Sequence, residues 1–142
     1  MSVLEREDRY KAKLERIESR LESVEEWMED VSKEEFSNEL QLRLSVYKAI
    51  QEISEAVTDL TAMYLSDKER VVGDNYENLE ACSGELFNQE ITRDLKNLNG
   101  LRNRIVHEYD KIQHNTVYTG IKDTKPAVRK FVEGFEKWIE EK

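Results

Sequence analysis

The sequence predicts an all-α protein, an antiparallel four-helix up-and-down bundle with one extra short helix. Three observations lead there. One proline and five glycines in 142 residues are too few turn-formers for an all-β fold. Apolar residues recur at spacings of three and four over long stretches, the period of one helix face. Charged residues make up 37% of the chain, but their signs are mixed and apolar residues interrupt them regularly, unlike a disordered chain. The length suits one domain with a real core, spanning 1–142.

The first helix is expected from about Leu4 to Glu29, where Tyr10, Leu14, Ile17, Leu21, Val24 and Met28 form one stripe. A break follows at "EDVSKEEF". There Ser32, with Glu35 three residues on, is a capping-box signal for a second helix. That helix carries Phe36, Leu40, Leu44, Tyr47, Ile50, Ile53, Val57, Leu60 and Tyr64, and ends near "YLSDKER". The segment "VVGDNYENLEACSGELF" has glycines at both sides and supports at most a short helix. A third long helix starts near Gln89 with Ile91, Leu95 and Leu98. Gly100 interrupts it, at about 1 kcal/mol relative to alanine, before Leu101, Ile105 and Val106 resume the pattern. Finally, "QHNTVYTGIKDTKPAV" leads into a last helix carrying Val128, Phe131, Val132, Phe135, Trp138 and Ile139, which Pro126 either opens or kinks.

A net charge of −9 repels nucleic acid at long range, so a nucleic-acid function must rest on a local basic site. Such a surface also suits a basic partner. The single cysteine, Cys82, allows no intramolecular disulfide and fits a reducing compartment. The opening "MSVLEREDRYKAK" does not resemble a signal peptide, and no window approaches the ~20 apolar residues of a membrane span. The expectation is a cytoplasmic protein with no membrane partner.

One stretch breaks the amphipathic monotony: "GLRNRIVHEYDKI", residues 100–112. An imidazole is the side chain suited to moving protons at cellular pH, which makes His107 a candidate acid or base. A guanidinium such as that of Arg102 stabilises charge building on a phosphoryl group. Together they suffice for metal-free RNA cleavage, in which a ribose 2′-OH attacks the adjacent phosphorus. Helices also carry arginine and histidine simply as a solvated face, and pattern alone does not separate the two readings. At ~100° per residue, Arg102 and Tyr109 fall on one helix face, whereas His107 lies roughly 140° from Arg102. Distortion near Gly100, a long reach by the arginine, or a second chain would each bring arginine and histidine together.

"LRNRIVHEY" closely resembles the R-x(4)-H-x-Y signature of the HepT-like toxins, a branch of the HEPN superfamily of small helical ribonucleases. Arg102, Asn103, His107 and Tyr109 take its positions, and "LSVYKAIQEISEAVTDL" resembles the family's second-helix block around Glu-Ala. The resemblance covers nearly the whole chain. Departures are Ser54, where the family usually has glycine, and the segment from Val71 to Phe87. The resemblance implies a HEPN-like bundle and a homodimer whose two motifs face one cleft. It implies a metal-independent endoribonuclease, the toxin of a type VII-like pair. Arg102 and His107 would be catalytic, with Asn103 orienting the site and Tyr109 positioning RNA. The antitoxin would be an MntA-like nucleotidyltransferase, which in some systems adenylylates the motif tyrosine, here Tyr109. The competing expectation is a catalytically silent helical adaptor or dimerisation module that binds such a partner.

Other chemistry has less support. "HEYDK" begins like H-E-x-x-H, but Lys111 stands where the second histidine belongs. Glu-x-x-His pairs are absent, because Arg104 and Lys111 precede His107 and His114 by three. No metal or other cofactor is therefore expected. No glycine-rich phosphate loop precedes a helix, so the chain should not bind ATP by itself. His114 reads as a surface or helix-start residue and Cys82 as structural. Arg104 and Lys111 are candidate RNA-phosphate contacts, or plain surface charges. RNA and protein, not DNA, are the expected partners.

Overall fold

In a computed structural model, residues 3–141 are described, and the two ends of the expected 1–142 domain lie outside them. Six α-helices follow one another: α1 (Val3–Met28), α2 (Lys33–Asn38), α3 (Leu40–Asp67), α4 (Asn75–Cys82), α5 (Gln89–His107) and α6 (His114–Glu140). A 3-10 turn, Tyr109–Lys111, joins the last two. Helix α1 packs on α3 and α6, and α5 packs on the same two, so four long helices close a ring.

Cross-helix contacts give the directions. Tyr10 and Lys13 of α1 bond Asp67 and Asp59 of α3, while Arg20, further along, reaches Glu52. These helices are antiparallel. Leu101 of α5 lies over Gly120 of α6, and Arg129 of α6 bonds Glu25 of α1. The expected apolar stripes face inward: Tyr10, Ile17 and Val24 of α1 and Ile53, Leu60 and Leu65 of α3 are buried.

Three local expectations need correction. The apolar stripe from Phe36 to Tyr64 spans two helices, not one. Ser32 caps only α2, accepting from the Glu35 N–H at 3.1 Å. Glu39 then leaves the helical region (φ −104°, ψ 92°). Arg43 Nη1 donates to the carbonyl of Phe36 at 3.2 Å and also to that of Ser37, satisfying acceptors that a continuing helix would have used. Phe36 meanwhile packs on Tyr47 and Tyr118, with ring centroids 5.8 and 5.6 Å apart.

The last helix begins at His114, a dozen residues before Pro126, which therefore neither opens the helix nor lies near its start. Val117, Tyr118, Ile121 and Thr124, spaced by one, three and three residues, are buried along this first half. Pro126 is exposed, so the carbonyl it leaves unbonded faces solvent. Gly100 does not interrupt α5, which runs through it. Elsewhere a glycine is required: a Cβ on Gly134 would stand 2.1 Å from the Leu86 carbonyl oxygen, where the α4–α5 connection presses on α6.

Candidate active site

Helix α5 starts at an Asn88 cap whose side chain accepts from the Ile91 N–H at 2.8 Å. Leu95, Leu98, Leu101 and Ile105 fix its buried face. That anchoring places Arg102 at the seam with α3. Its Nη2 donates to Glu55 Oε1 at 2.9 Å, and its Nη1 to Asn103 Oδ1 at 3.3 Å. Arg102 Nε is buried with no partner among the described residues.

Gln51 donates to the same Glu55 oxygen at 3.1 Å. Burial pushes the Glu55 carboxyl up, but the hydrogen bonds from Arg102 and Gln51 and the nearby positive charge outweigh it. The net direction is down, so Glu55 stays ionised and holds the guanidinium. Single contacts to Glu55 and to Asn103 orient the guanidinium and leave part of its donor set for another anion.

His107 is the last residue of α5 and is exposed. The helix stays regular up to it, so distortion at Gly100 does not swing it towards Arg102. Arg102 does not reach around either, because Glu55 holds it on the α3 side.

Tyr109 departs from the expected geometry. The helix ends at His107 and Glu108 turns the chain (φ −131°, ψ 29°), so Tyr109 is not on the Arg102 face of a continuing α5. Helix α3 brings the two onto one line instead. The Tyr109 ring stands edge-on to Tyr47, with centroids 6.1 Å apart. Tyr47, Gln51 and Glu55 follow at intervals of four, so Tyr109 and Arg102 meet the same α3 face about 12 Å apart.

Beneath Tyr109 the site is braced. The Tyr47 hydroxyl is 2.6 Å from His114 Nδ1. Burial pushes the Tyr47 phenol up to about 12, while burial and the Arg43 charge hold His114 below the usual histidine range. The phenol is therefore the donor and the neutral imidazole the acceptor. His114 does start a helix, but as a half-buried brace rather than a plain surface residue.

Arg104 points away from Arg102, roughly 200° around α5, and lines depressions on the α6 side with Thr116. Lys111 joins Arg104 in one of these and joins His107, Val106 and Tyr109 in a depression of about 270 Å³. Cys82 is buried, and burial pushes its thiol up to about 12, so it offers no thiolate. Among the described residues no group of three His, Cys, Asp or Glu could hold a metal, and no helix is long and apolar enough to cross a membrane.

Sequence reasoning missed Tyr47, Gln51 and Glu55 as site residues. Their signal was present as an i, i+4, i+8 stripe, but nothing local in α3 says that Arg102, 47 residues later, is its partner.

A sequence profile of the family described as Ribonuclease HepT-like matches residues 17–135. A protein of Archaeoglobus fulgidus described as "Putative RNase" is 29% identical over 136 residues, covering 95% of this chain and 96% of its own. The tRNA nuclease HepT of Aphanizomenon flos-aquae is 30% identical over 115 residues, covering 74% and 77%. Among solved structures, the tri-AMPylated Shewanella oneidensis HEPN toxin, in complex with an MNT antitoxin, superposes with a TM-score of 0.82. It is 19% identical and covers 96% of this chain and 99% of that one, which shows a shared helical fold. With nearly the whole bundle and the Arg102–Tyr109 motif inside the matched region, the chain belongs to the HepT-like ribonuclease family.

Proposed function

We propose that this protein is a metal-independent endoribonuclease acting in the cytoplasm as the toxin of a two-gene pair. The observation that carries this is the division of labour at the end of α5. Arg102 is paired with Glu55, whereas His107 is exposed and uncommitted. That is what a fixed charge stabiliser and a mobile proton carrier need. The RNase relatives support the same chemistry.

In the proposed reaction His107 takes the proton from the ribose 2′-OH, whose oxygen attacks the adjacent phosphorus. Arg102 meets the charge that builds on the non-bridging oxygens, and Asn103 holds the guanidinium in register. The bond to the 5′-oxygen breaks and that oxygen takes a proton from solvent, while protonated His107 later gives up its own. The products are a 2′,3′-cyclic phosphate and a 5′-hydroxyl.

Arg102 and His107 point about 140° apart on a regular helix, so a second copy of the chain completes each centre. Leu40, Leu44, Val106 and Tyr109 are large apolar groups left exposed around the motif, a surface suited to that homodimer. A single species of 16.8 kDa at micromolar concentration would overturn the dimer.

The Shewanella relative is AMPylated and bound to an MNT antitoxin. By analogy an MntA-like nucleotidyltransferase is the partner here, and Tyr109 is its acceptor. The phenol oxygen would attack the α-phosphorus of ATP, pyrophosphate would leave, and the partner would take the phenolic proton. The added phosphodiester and purine would then fill the depression beside His107 and Lys111.

Cleavage should survive EDTA and end in cyclic phosphate. Co-expression with the partner should add AMP units that vanish in Tyr109→Phe. An EDTA-sensitive activity, or AMP retained in that variant, overturns the corresponding part.

A further inference from the structure

Arg104 stands apart from the glutamate-paired arginines of this chain. Arg20, Arg70, Arg102 and Arg129 all pair with glutamates. Arg104 is exposed, with no hydrogen-bond or ion-pair partner among the described residues. It also borders two adjoining depressions. One, about 440 Å³, lies where α4, α5 and α6 meet and reaches Tyr76. The other, about 120 Å³, shares Arg104 and Thr116 with the first and runs on to Lys111. Lys111 and Glu108 in turn belong to the depression beside His107 and Tyr109. Three hollows thus join end to end along α5.

The far end of this furrow is aromatic. Tyr76 is 40% exposed, and its hydroxyl is 3.8 Å from where a Cβ on Gly100 would stand. Gly100 and Gly120 line the same hollow and keep its floor low. From Gly100 to His107 is about 10 Å along the helix axis, the rise of roughly three stacked nucleotides. An uncommitted guanidinium, an ammonium and an exposed ring along one furrow match the needs of a single nucleic-acid strand. Asp123, Asp110 and Glu108 border it as well, so the furrow carries no net positive charge and its phosphate contacts rest on Arg104 and Lys111 alone. Lys96, at its far end, is already held by Glu80 at 2.6 Å.

We infer that the furrow from His107 past Lys111 and Arg104 to Tyr76 is a track for the single-stranded RNA flanking the scissile phosphate, with a base stacked on Tyr76. Arg104 and Lys111 take backbone phosphates. Tyr76, from the short α4, grips a base without reading its identity, because every base offers a π-face. This rests on the nuclease assignment for its purpose, though not for its binding.

The test is fluorescence anisotropy with the full chain and a fluorescein-labelled eight-nucleotide RNA, fully 2′-O-methylated so that it is not cut. Tyr76→Ala should weaken binding about five- to a hundredfold, the range for loss of one stacking aromatic. Tyr76→Phe should stay within about twofold, which separates stacking from a fold defect. Asn97→Glu, an exposed position in the same hollow, should weaken binding by adding a charge against phosphate. Tyr76→Ala and Asn97→Glu both indistinguishable from wild type, or a wild type that does not bind, overturns the track. Cleavage assays separate the two assignments. An inactive wild type whose probe binding still depends on Tyr76 would keep the track and sink the nuclease. An active wild type indifferent to Tyr76 would do the reverse.

Discussion

The two ends of the bundle are built to opposite rules. At the end where α1 begins and α3 and α6 finish, aromatic rings interlock. Phe135 lies 5.9 Å from Tyr10, 4.9 Å from Phe131 and 6.0 Å from Trp138, and Tyr64 closes the cluster 5.0 Å from Trp138. Its polar tip is committed as well, since the Tyr10 hydroxyl donates to Asp67 at 2.5 Å. At the other end, where α5 finishes and α6 begins, His107, Arg104, Lys111 and Tyr109 all face solvent. Order lies there in the layer beneath, where Phe36 packs on Tyr47 and Tyr118, Glu55 holds Arg102 and His114 holds Tyr47. The aromatic packing and the candidate site are separated along the bundle axis, and each end should respond to a different kind of damage.

The largest effect belongs to the open end. His107→Ala and Arg102→Ala should each reduce RNA cleavage at least roughly a hundredfold, the size expected for a general acid–base or charge-stabilising group. His107→Ala should do so with stability changed by no more than about 0.5 kcal/mol, as befits an exposed side chain. Cleavage rates equal to wild type in both variants would remove the proposed chemistry from this end.

The mirror experiment is Phe135→Ala. Loss of a fully buried ring should cost about 3–5 kcal/mol in urea unfolding. The folded fraction should keep its cleavage rate per molecule. A rate that collapses with the packing would show the two ends to be one cooperative device.

Acidification probes the layer under the motif. His114 has its folded pKa lowered by burial and by Arg43. The unfolded chain therefore takes the proton first, and stability falls as pH drops below the ordinary histidine value of about 6.5. The urea midpoint should decline through that range more in the wild type than in His114→Gln. Equal declines would mean that the Tyr47–His114 bond contributes no pH dependence.

The smallest change is at the start of the motif helix. Asn88→Ala removes the α5 cap and should cost about 1 kcal/mol. Cleavage should be unaffected, because the cap is five helical turns from His107. A matching loss of activity would tie the chemistry to helix stability after all.

The bundle was legible because inward stripes on α1, α3, α5 and α6 are long and periodic. Where the sequence misled, a distant contact decided. The stripe through Phe36 and Leu40 keeps its spacing across the break at Glu39, and only Arg43 capping the α2 carbonyls reveals that two helices share it. The start of α6 was hidden by polar residues around Val117 and Tyr118, which are buried by α2 and α5 rather than by their own neighbours. Arg102 and His107 stood out through the motif. The partner that orients Arg102, and the tyrosine that receives Tyr109, come from α3 and could not be read from the motif itself.

The motif end also depends on the last helix to be made. His114 opens α6, Tyr118 donates to the Val31 carbonyl at 2.5 Å across 87 residues, and Arg129 reaches back 104 residues to Glu25. On the ribosome, α1 and α3 can pair as a hairpin well before any of these contacts exist. A nascent chain that has emerged through His107 already carries every motif residue except Tyr109, yet lacks the brace that places Tyr47. Ring closure by α6 therefore sets an order of assembly: the layer that orients the motif is completed only after the helix that follows the motif has been made.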